Sequence, residues 1–386
     1  MKVLFVSTSL GSGGAEKLLN DMLPILKAEI DVELLIFTKV GQRYMSSLCE
    51  KGIPVTVIPS DCRGHLGKIK FIWKYIRMLN PDIVHVNLFP GLYYCAVVAM
   101  LLSRSSTKFI FTEHNTDNRR RHIAAFRFIE KLIYRQYARV ISISKGTEEA
   151  LLKWLVPRKV QKFIVVNNGI PLSAFSGALP LKRADIGTGL VQDDFLLCMV
   201  GSFTVQKNHL FMMNVLSKLP FRYKLVLLGE GSLVDEVKQK IKELNLQERV
   251  FLMGYQKDIG RILKACDAMV VPSLWEGFGL VAVEAMASGC PVVASNVDGL
   301  KDVVSDAGLL VPVNDQDGFK KAILSLTDQM FRTRLIVLGK SRSLQFSIER
   351  MSQQYIDIYK RVLYDNTALN YHLIVCKSIT YIKKCL

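Results

Sequence analysis

The sequence predicts an α/β chain built as two Rossmann-like, doubly wound domains facing each other across a cleft. Three observations carry this. Short β-branched runs alternate with amphipathic stretches of helix length, the pattern of βαβ units on a parallel sheet. The alternation occurs twice, on either side of a segment, 173–194, that loses it and collects Gly177, Pro180, Gly187 and Gly189. A chain of 386 residues is also too long for one ordinary core, at about 150 residues per domain. Open parallel sheets bind ligands beyond the carboxyl ends of their strands, so two such domains most naturally share a cleft.

In order along the chain, strands are expected at 3–7, 32–37, 54–58, 83–86, 108–112, 140–144 and 163–167. Helices are expected between them, for example at 15–27, 67–79, 92–103 and 123–137. After the connector the second series of strands is 195–201, 224–228, 250–253, 268–272, 291–295 and 309–311, and the pattern from 312 to about 363 is helical. The expected division is residues 1–180, residues 181–365 and a tail, 366–386. In the tail Lys377, Lys383 and Lys384 stand among Leu373, Ile374, Val375, Ile379 and Ile382, suiting an amphipathic surface helix or a plain terminal one.

Composition narrows the function classes. Half of the residues are hydrophobic and 22% charged, the mix of a packed protein rather than a disordered or collagen-like one. The eight cysteines form no C-x-x-C pair and no Cys/His cluster, so neither a disulfide framework nor a zinc site is indicated, and a reducing cytoplasm is expected. The apolar run after Met1-Lys2 stops at Val6, which reads as a buried strand and not as a secretory signal. The longest apolar stretch, 91–102, falls short of the roughly 20 residues that span a bilayer.

The net charge of +17 is uneven: residues 1–185 hold 27 Lys and Arg against 14 Asp and Glu, the remainder 24 against 20. That asymmetry suits an anionic partner for the first half. With no nucleic-acid recognition motif present, a phosphate-bearing membrane surface is preferred over nucleic acid. Arg119-Arg120-Arg121 with His122 is the cluster expected to meet headgroups. A basic, merely solvated surface is the plain alternative.

Three segments can carry chemistry. Gly11-Ser12-Gly13-Gly14-Ala15-Glu16 follows the first strand and opens a helix, where backbone N–H groups can approach an anion, although neither G-x-G-x-x-G nor a P-loop lysine is present. In the second domain Gly201-Ser202-Phe203 ends a strand and Gln206-Lys207-Asn208-His209 opens the next helix, placing a lysine where a pyrophosphate would sit. The sharpest segment runs Pro272-Ser273-Leu274-Trp275-Glu276-Gly277-Phe278-Gly279-Leu280, continues through Glu284 and ends at Ser295 as strand, glycine loop, helix, glycine, strand. Its two carboxylates, eight positions apart, can both point toward the strand ends, and carboxylates that accept from vicinal hydroxyls are what a ribose and a hexose require.

Glu276 and Glu284 reproduce the E-x7-E signature of the retaining glycosyltransferases of family 4, which the chain resembles along most of its length. Gly13-Gly14-Ala15-Glu16, Glu113-His114, Ser142-Ile143-Ser144-Lys145, Asn167-Asn168-Gly169-Ile170, Gly201 with Gln206-Lys207-Asn208, Gly229-Glu230-Gly231, Gly254 and Gly308-Leu309-Leu310-Val311-Pro312 fall in the family's order. The resemblance is to bacterial enzymes of exopolysaccharide, capsule and lipopolysaccharide assembly. It implies a GT-B fold and transfer of a hexose or N-acetylhexosamine from a nucleotide diphosphate sugar, UDP more than GDP. No metal or other cofactor is expected. The implied acceptor is a glycan, carried on a polyprenyl pyrophosphate, met by a cytoplasmic enzyme lying peripherally on the inner face of the plasma membrane.

Carried over by position, the resemblance makes Lys207, Glu276 and His114 the catalytic group. The donor would lie on Ser202, Lys207, Gly229, Gly231, Glu276, Gly277, Phe278, Gly279, Leu280 and Glu284, with Glu284 on the ribose and Lys207 on the pyrophosphate. Gly13, Gly14 and Glu16 would line the phosphate and acceptor side. Glu113 and Asp117 are further acidic candidates near His114. Two positions depart from the family pattern. Ser202 stands where an arginine usually follows the glycine, so Lys207 would be aided by a helix N-terminus or by a cation such as Lys257 or Arg261, or the donor would bind more weakly. After Asp298 the usual glycine and glutamate give way to Gly299-Leu300-Lys301-Asp302, with Asp302 as the substitute. An epimerase or hydrolase acting on a sugar nucleotide, and a non-catalytic anion-binding protein, are the competing functions.

Overall fold

A computed structural model describes residues 1–364 apart from 12, 39–42, 63, 117, 118, 158 and 159. The tail expected at 366–386 and the acidic candidate Asp117 lie outside the described residues. The chain folds as two compact units. Unit 1 holds Met1–Ile143, Glu148–Val166 and, of the described residues after 348, 349–364; unit 2 holds Ser144–Thr147 and Asn167–Ile348.

Among the described residues unit 1 carries a seven-stranded parallel sheet, ordered β3-β2-β1-β4-β5-β6-β7. Its strands are β1 (Lys2–Ser7), β2 (Asp31–Ile36), β3 (Val55–Val57), β4 (Ile83–Asn87), β5 (Lys108–Glu113), β6 (Arg139–Ser142) and β7 (Phe163–Val165). Unit 2 carries a six-stranded parallel sheet, ordered β10-β9-β8-β11-β12-β13: β8 (Phe195–Val200), β9 (Tyr223–Leu228), β10 (Val250–Gly254), β11 (Ala268–Val271), β12 (Val292–Ser295) and β13 (Leu309–Val311). Every strand expected from the sequence is present. Central strands such as β1, β8 and β9 are buried along nearly their whole length, because helices cover both faces of a parallel sheet and both sets of side chains must be apolar. In each sheet the order reverses beside the first strand, at β1/β4 and β8/β11, and the crevice beyond the carboxyl ends at such a point is where this architecture binds ligands.

The division differs from the expected one in two ways. Apart from the brief excursion Ser144–Thr147, the passage into unit 2 lies at 166/167 and not at 180/181. The Gly- and Pro-containing segment that reads as a linker forms two short helices, Leu172–Ser176 and Arg183–Ile186, whose Phe175 and Ile186 are buried. Two apolar anchors outweigh the composition of the stretch around them. The chain then leaves unit 2 at 348/349 and gives the helix 348–364 back to unit 1. The two passages run side by side: Ile170 N donates to Phe346 O and Ile348 N to Ile170 O, each at 2.9 Å. A Cβ on Gly169 would stand 2.7 Å from Ser347 C and 2.8 Å from Ile348 Cα, so the passages touch only because that residue has no side chain.

Candidate active site

The carboxyl ends of β8, β9 and β11 bring three loops of unit 2 together, and glycines let them meet. A Cβ on Gly229, whose φ is +142°, would collide with the carbonyl of Gly201, and one on Gly231 would stand 2.5 Å from both Phe203 N and Phe203 O. Gly201 N donates to Leu228 O at 2.9 Å and Phe203 N to Glu230 O at 3.0 Å. On this platform the stem of Lys207 lies flat: its Cγ and Cδ are 3.1 Å from where a Cβ of Gly201 would be. Lys207 Nζ pairs with Glu276 Oε1, the same oxygen that accepts from Ser273 Oγ at 2.8 Å. The lysine comes from the loop after β8 and the glutamate from the loop after β11, so the ion pair spans the crevice where the strand order reverses.

Residues flanking the lysine hold the two loops together. Gln206 Nε2 donates to Trp275 O at 2.9 Å, Leu274 N to Gln206 O at 2.8 Å, and Asn208 Nδ2 to Pro272 O at 3.2 Å. Asn208 adopts the left-handed conformation, φ 61° and ψ 42°, as it turns the chain into the helix His209–Ser217. His209 stacks on Phe203 at 4.3 Å, and burial together with the charge of Lys207 lowers its pKa to about 4. Sequence reasoning assigned no work to Gln206 and Asn208. Their partners include backbone carbonyls more than sixty residues away, and only their place on either side of the lysine hinted at it.

Glu276 is buried although its neighbour Trp275 is 46% exposed. Gly279, at φ +94°, ends the loop and precedes the helix Leu280–Ser288. Glu284 lies in the second turn of that helix, 2% exposed. The loop is held from outside by Gly299, φ +85°, where a Cβ would stand 2.8 Å from Glu276 O and 3.0 Å from Phe278 N. It is also held by Ser144 Oγ, in the Ser144–Thr147 piece of unit 2, which donates to Gly277 O at 2.7 Å. Among the expected donor residues, Ser202, Gly229, Gly231, Phe278 and Leu280 belong to these same loops, and Ser202 is exposed. Arg261 is not an aid to Lys207: it donates to Leu179 O at 3.4 Å beside the short helix Leu172–Ser176. Asp302 offers a backbone oxygen to Arg342, and Asp298 pairs with Lys301 at 2.6 Å.

In unit 1, Gly13 and Gly14 are exposed at the start of the helix Gly14–Lys27, after β1. The Glu16 carboxylate folds back over Gly13 and accepts from Ser9 Oγ at 3.3 Å. A carboxylate there already answers the positive end of the helix, so an incoming phosphate would first have to displace it. His114, just past β5, is half-buried; its Nε2 meets Asn87 Oδ1, at the end of β4, at 3.1 Å. Burial lowers the His114 pKa to about 4, leaving a neutral ring at pH 7. The Glu113 carboxylate is engaged within the fold: it accepts from Tyr134 OH at 2.7 Å, Arg121 at 3.4 Å and Asn115 N at 3.1 Å.

The arginine cluster is largely spoken for. Arg120 pairs with the buried Glu130 at 2.7 Å and lies over the ring of Phe89, and Arg121 pairs with Glu113. These two guanidiniums are held by buried carboxylates and are not the free headgroup contact expected from the sequence. Among the described residues no group of three or more His, Cys, Asp or Glu is placed to hold a metal ion, and no helix is long and apolar enough to cross a membrane.

Comparison with known proteins finds two family models that match the chain. The family model described as Glycosyltransferase Family 4 matches residues 12–174, and that described as Glycosyl transferases group 1 matches residues 183–341. The chain is 26% identical over 342 residues to UDP-Gal:alpha-D-GlcNAc-diphosphoundecaprenol alpha-1,3-galactosyltransferase of Escherichia coli, covering 80% of this chain and 86% of that one. It is 29% identical over 357 residues to N-acetylgalactosamine-N,N'-diacetylbacillosaminyl-diphospho-undecaprenol 4-alpha-N-acetylgalactosaminyltransferase of Campylobacter jejuni, covering 88% and 93%. Its fold is similar to that of HepE of Anabaena, solved with UDP and glucose, at a TM-score of 0.80 and 22% identity, over 93% of this chain and 99% of that one. The two Rossmann-like parallel-sheet units are those of the GT-B glycosyltransferases.

Proposed function

The chain belongs to the family 4 glycosyltransferases, and from that premise we propose that it moves a hexose or N-acetylhexosamine from UDP, with retention of anomeric configuration, to a lipid-diphosphate-linked glycan in surface polysaccharide assembly. The observation that carries the reading is the Lys207–Glu276 pair at the β8/β11 crevice. As the bond from sugar to diphosphate breaks, negative charge grows on the leaving phosphate. A preorganised cation and the amides of Gly277 to Leu280 at a helix start answer that charge without reorganisation. Before the donor arrives, Glu276 keeps Lys207 on its glycine seat. When the diphosphate takes the lysine, the Glu276 carboxylate turns to hydroxyls of the sugar and Glu284 serves the ribose. In this account the charge is neutralised by protein groups and no metal is needed.

UDP as the carrier is supported by the Escherichia coli relative, a UDP-Gal-dependent galactosyltransferase, and by the Anabaena complex with UDP and glucose, and a lipid-linked acceptor by both relatives. A thermal-shift screen of UDP, GDP, ADP and their sugar conjugates, with and without EDTA, tests the donor half. A nucleotide at 100 times its dissociation constant stabilises by about 2.7 kcal/mol. The expected result is a UDP-selective, EDTA-insensitive shift that Glu284→Ala abolishes; no shift with any nucleotide sinks the reading.

An acceptor held in a membrane requires the enzyme to lie on it, at the inner face in this account. The helix Ala124–Arg135 provides the surface. Glu130, Ile133 and Tyr134 face inward and are buried, Phe128, Ile129 and Leu132 form an exposed apolar stripe, and Arg127, Lys131 and Arg135 follow one another at its edge. Phe128 is 69% exposed. An apolar stripe flanked by cations on a chain of net charge +17 fits the boundary of an anionic bilayer.

A further inference from the structure

In unit 1 the described polar groups of one buried layer are matched to each other until Asn87. His85, on β4, lies between the rings of Phe5 and Tyr355 at 5.0 and 5.3 Å. Its Nδ1 meets Tyr359 OH at 2.5 Å and its Nε2 meets Thr112 Oγ1 at 2.7 Å. Thr112 Oγ1 in turn meets Tyr355 OH at 3.3 Å. One step further toward the carboxyl end, Asn87 stands opposite Thr112 in the sheet register and binds His114 through Oδ1. Asn87 is only 4% exposed, and its Nδ2 has no hydrogen-bond partner among the described residues. The next residue, Leu88, takes the left-handed φ of 65°, a strained conformation for a leucine that recurs at binding sites.

A buried N–H without an acceptor is unfavourable, and here it sits at the carboxyl end of β4, where the strand order of the sheet reverses. We propose that Asn87 is a substrate-contacting residue: its Oδ1 holds His114 in the Nε2–H tautomer, and its Nδ2 donates to a hydroxyl of the carbohydrate substrate. This rests on the transferase reading given above. Because Nε2–H is turned to Asn87, the lone pair of His114 is on Nδ1. The two side chains therefore offer one donor and one acceptor, the pairing a sugar hydroxyl can satisfy. Among the described residues the titratable groups of this layer are His85 and, from the helix 348–364, Tyr355 and Tyr359. Glu113 and Arg121 are engaged with each other.

The test uses the full chain as Asn87→Ala and Asn87→Asp, measuring kcat and KM for donor and acceptor, the pH profile of the rate and, separately, UDP binding. UDP binding at the wild-type level reports an intact fold. The expected result for Asn87→Ala is a fall in kcat/KM of roughly 10- to 100-fold, the scale of a misplaced reacting group. In Asn87→Asp a carboxylate faces the Nε2–H and favours the charged ring, so the His114 pKa rises from about 4 toward or beyond the ordinary 6.5. The rate then falls on the acid side of pH 7, where the wild type is flat. A residue that only holds the fold would not move the profile. Wild-type kinetics and a flat profile in both variants overturn the proposal and leave the transferase reading standing. A wild-type protein that neither binds a nucleotide nor transfers a sugar overturns that reading and this proposal with it.

Discussion

The work assigned to single residues is most concentrated in Lys207 and Glu276. In Glu276→Gln the side chain keeps its shape and its bond from Ser273 but loses its charge, so the fold is retained while transfer falls by about 100- to 1,000-fold, the scale of one lost stabiliser of developing charge. Lys207→Ala leaves a buried carboxylate without its cation and lowers both activity and melting temperature; parallel transfer assays and thermal scans of the two variants separate the roles. The motif around Glu276 is legible in the sequence because glycines and acids stand at fixed offsets on a strand, loop and helix. Asn87 is not. Its only trace is a polar residue closing the strand run Ile83 to Val86, and the donor left over on its amide becomes visible only once the hydrogen bonds of His85, Thr112 and His114 are laid out.

The strands were legible because parallel strands buried on both faces read as β-branched runs. The return of the helix 348–364 to unit 1 was not, because an amphipathic pattern says that one face is covered without saying by which sheet. Its anchorage is the His85 layer. His85→Phe keeps the stacking on Phe5 and Tyr355 but strips Tyr359 and Thr112 of a partner, so a loss of about 1 to 3 kcal/mol is expected in urea unfolding. A second element-level prediction concerns the helix Ala124–Arg135. Replacing Phe128 and Leu132 by serine removes the apolar stripe without touching the buried face, and sedimentation with anionic vesicles should drop while UDP binding is unchanged. Equal sedimentation of the double variant would contradict the assignment of that helix. The sequence could not show that Arg120 and Arg121 are claimed by Glu130 and Glu113, partners that a linear reading does not pair with them.

For the whole molecule, the buried histidines set the response to acid. Burial holds His85 at about 3 and His114 and His209 at about 4, against 6.5 for an unrestrained imidazole. Between about pH 6.5 and 4 the unfolded chain therefore binds protons that the folded chain refuses. Stability is complete above that window and is lost as pH falls through it, by up to about 1.4 kcal/mol per pH unit for each ring. Melting temperatures measured from pH 7.5 to 4.5 should fall steadily, and His85→Phe should flatten the slope.

The central claim, that this chain is a transferase using Lys207 and Glu276 on a nucleotide diphosphate sugar, is tested most directly by mass spectrometry of the products. The protein is incubated with a panel of UDP and GDP sugars and a lipid-diphosphate-linked glycan, in EDTA. The account predicts that the acceptor gains the mass of one hexose or N-acetylhexosamine with release of the nucleoside diphosphate, and that Glu276→Gln does this far more slowly. Free or epimerised sugar with an unchanged acceptor, or transfer that EDTA abolishes, would contradict it.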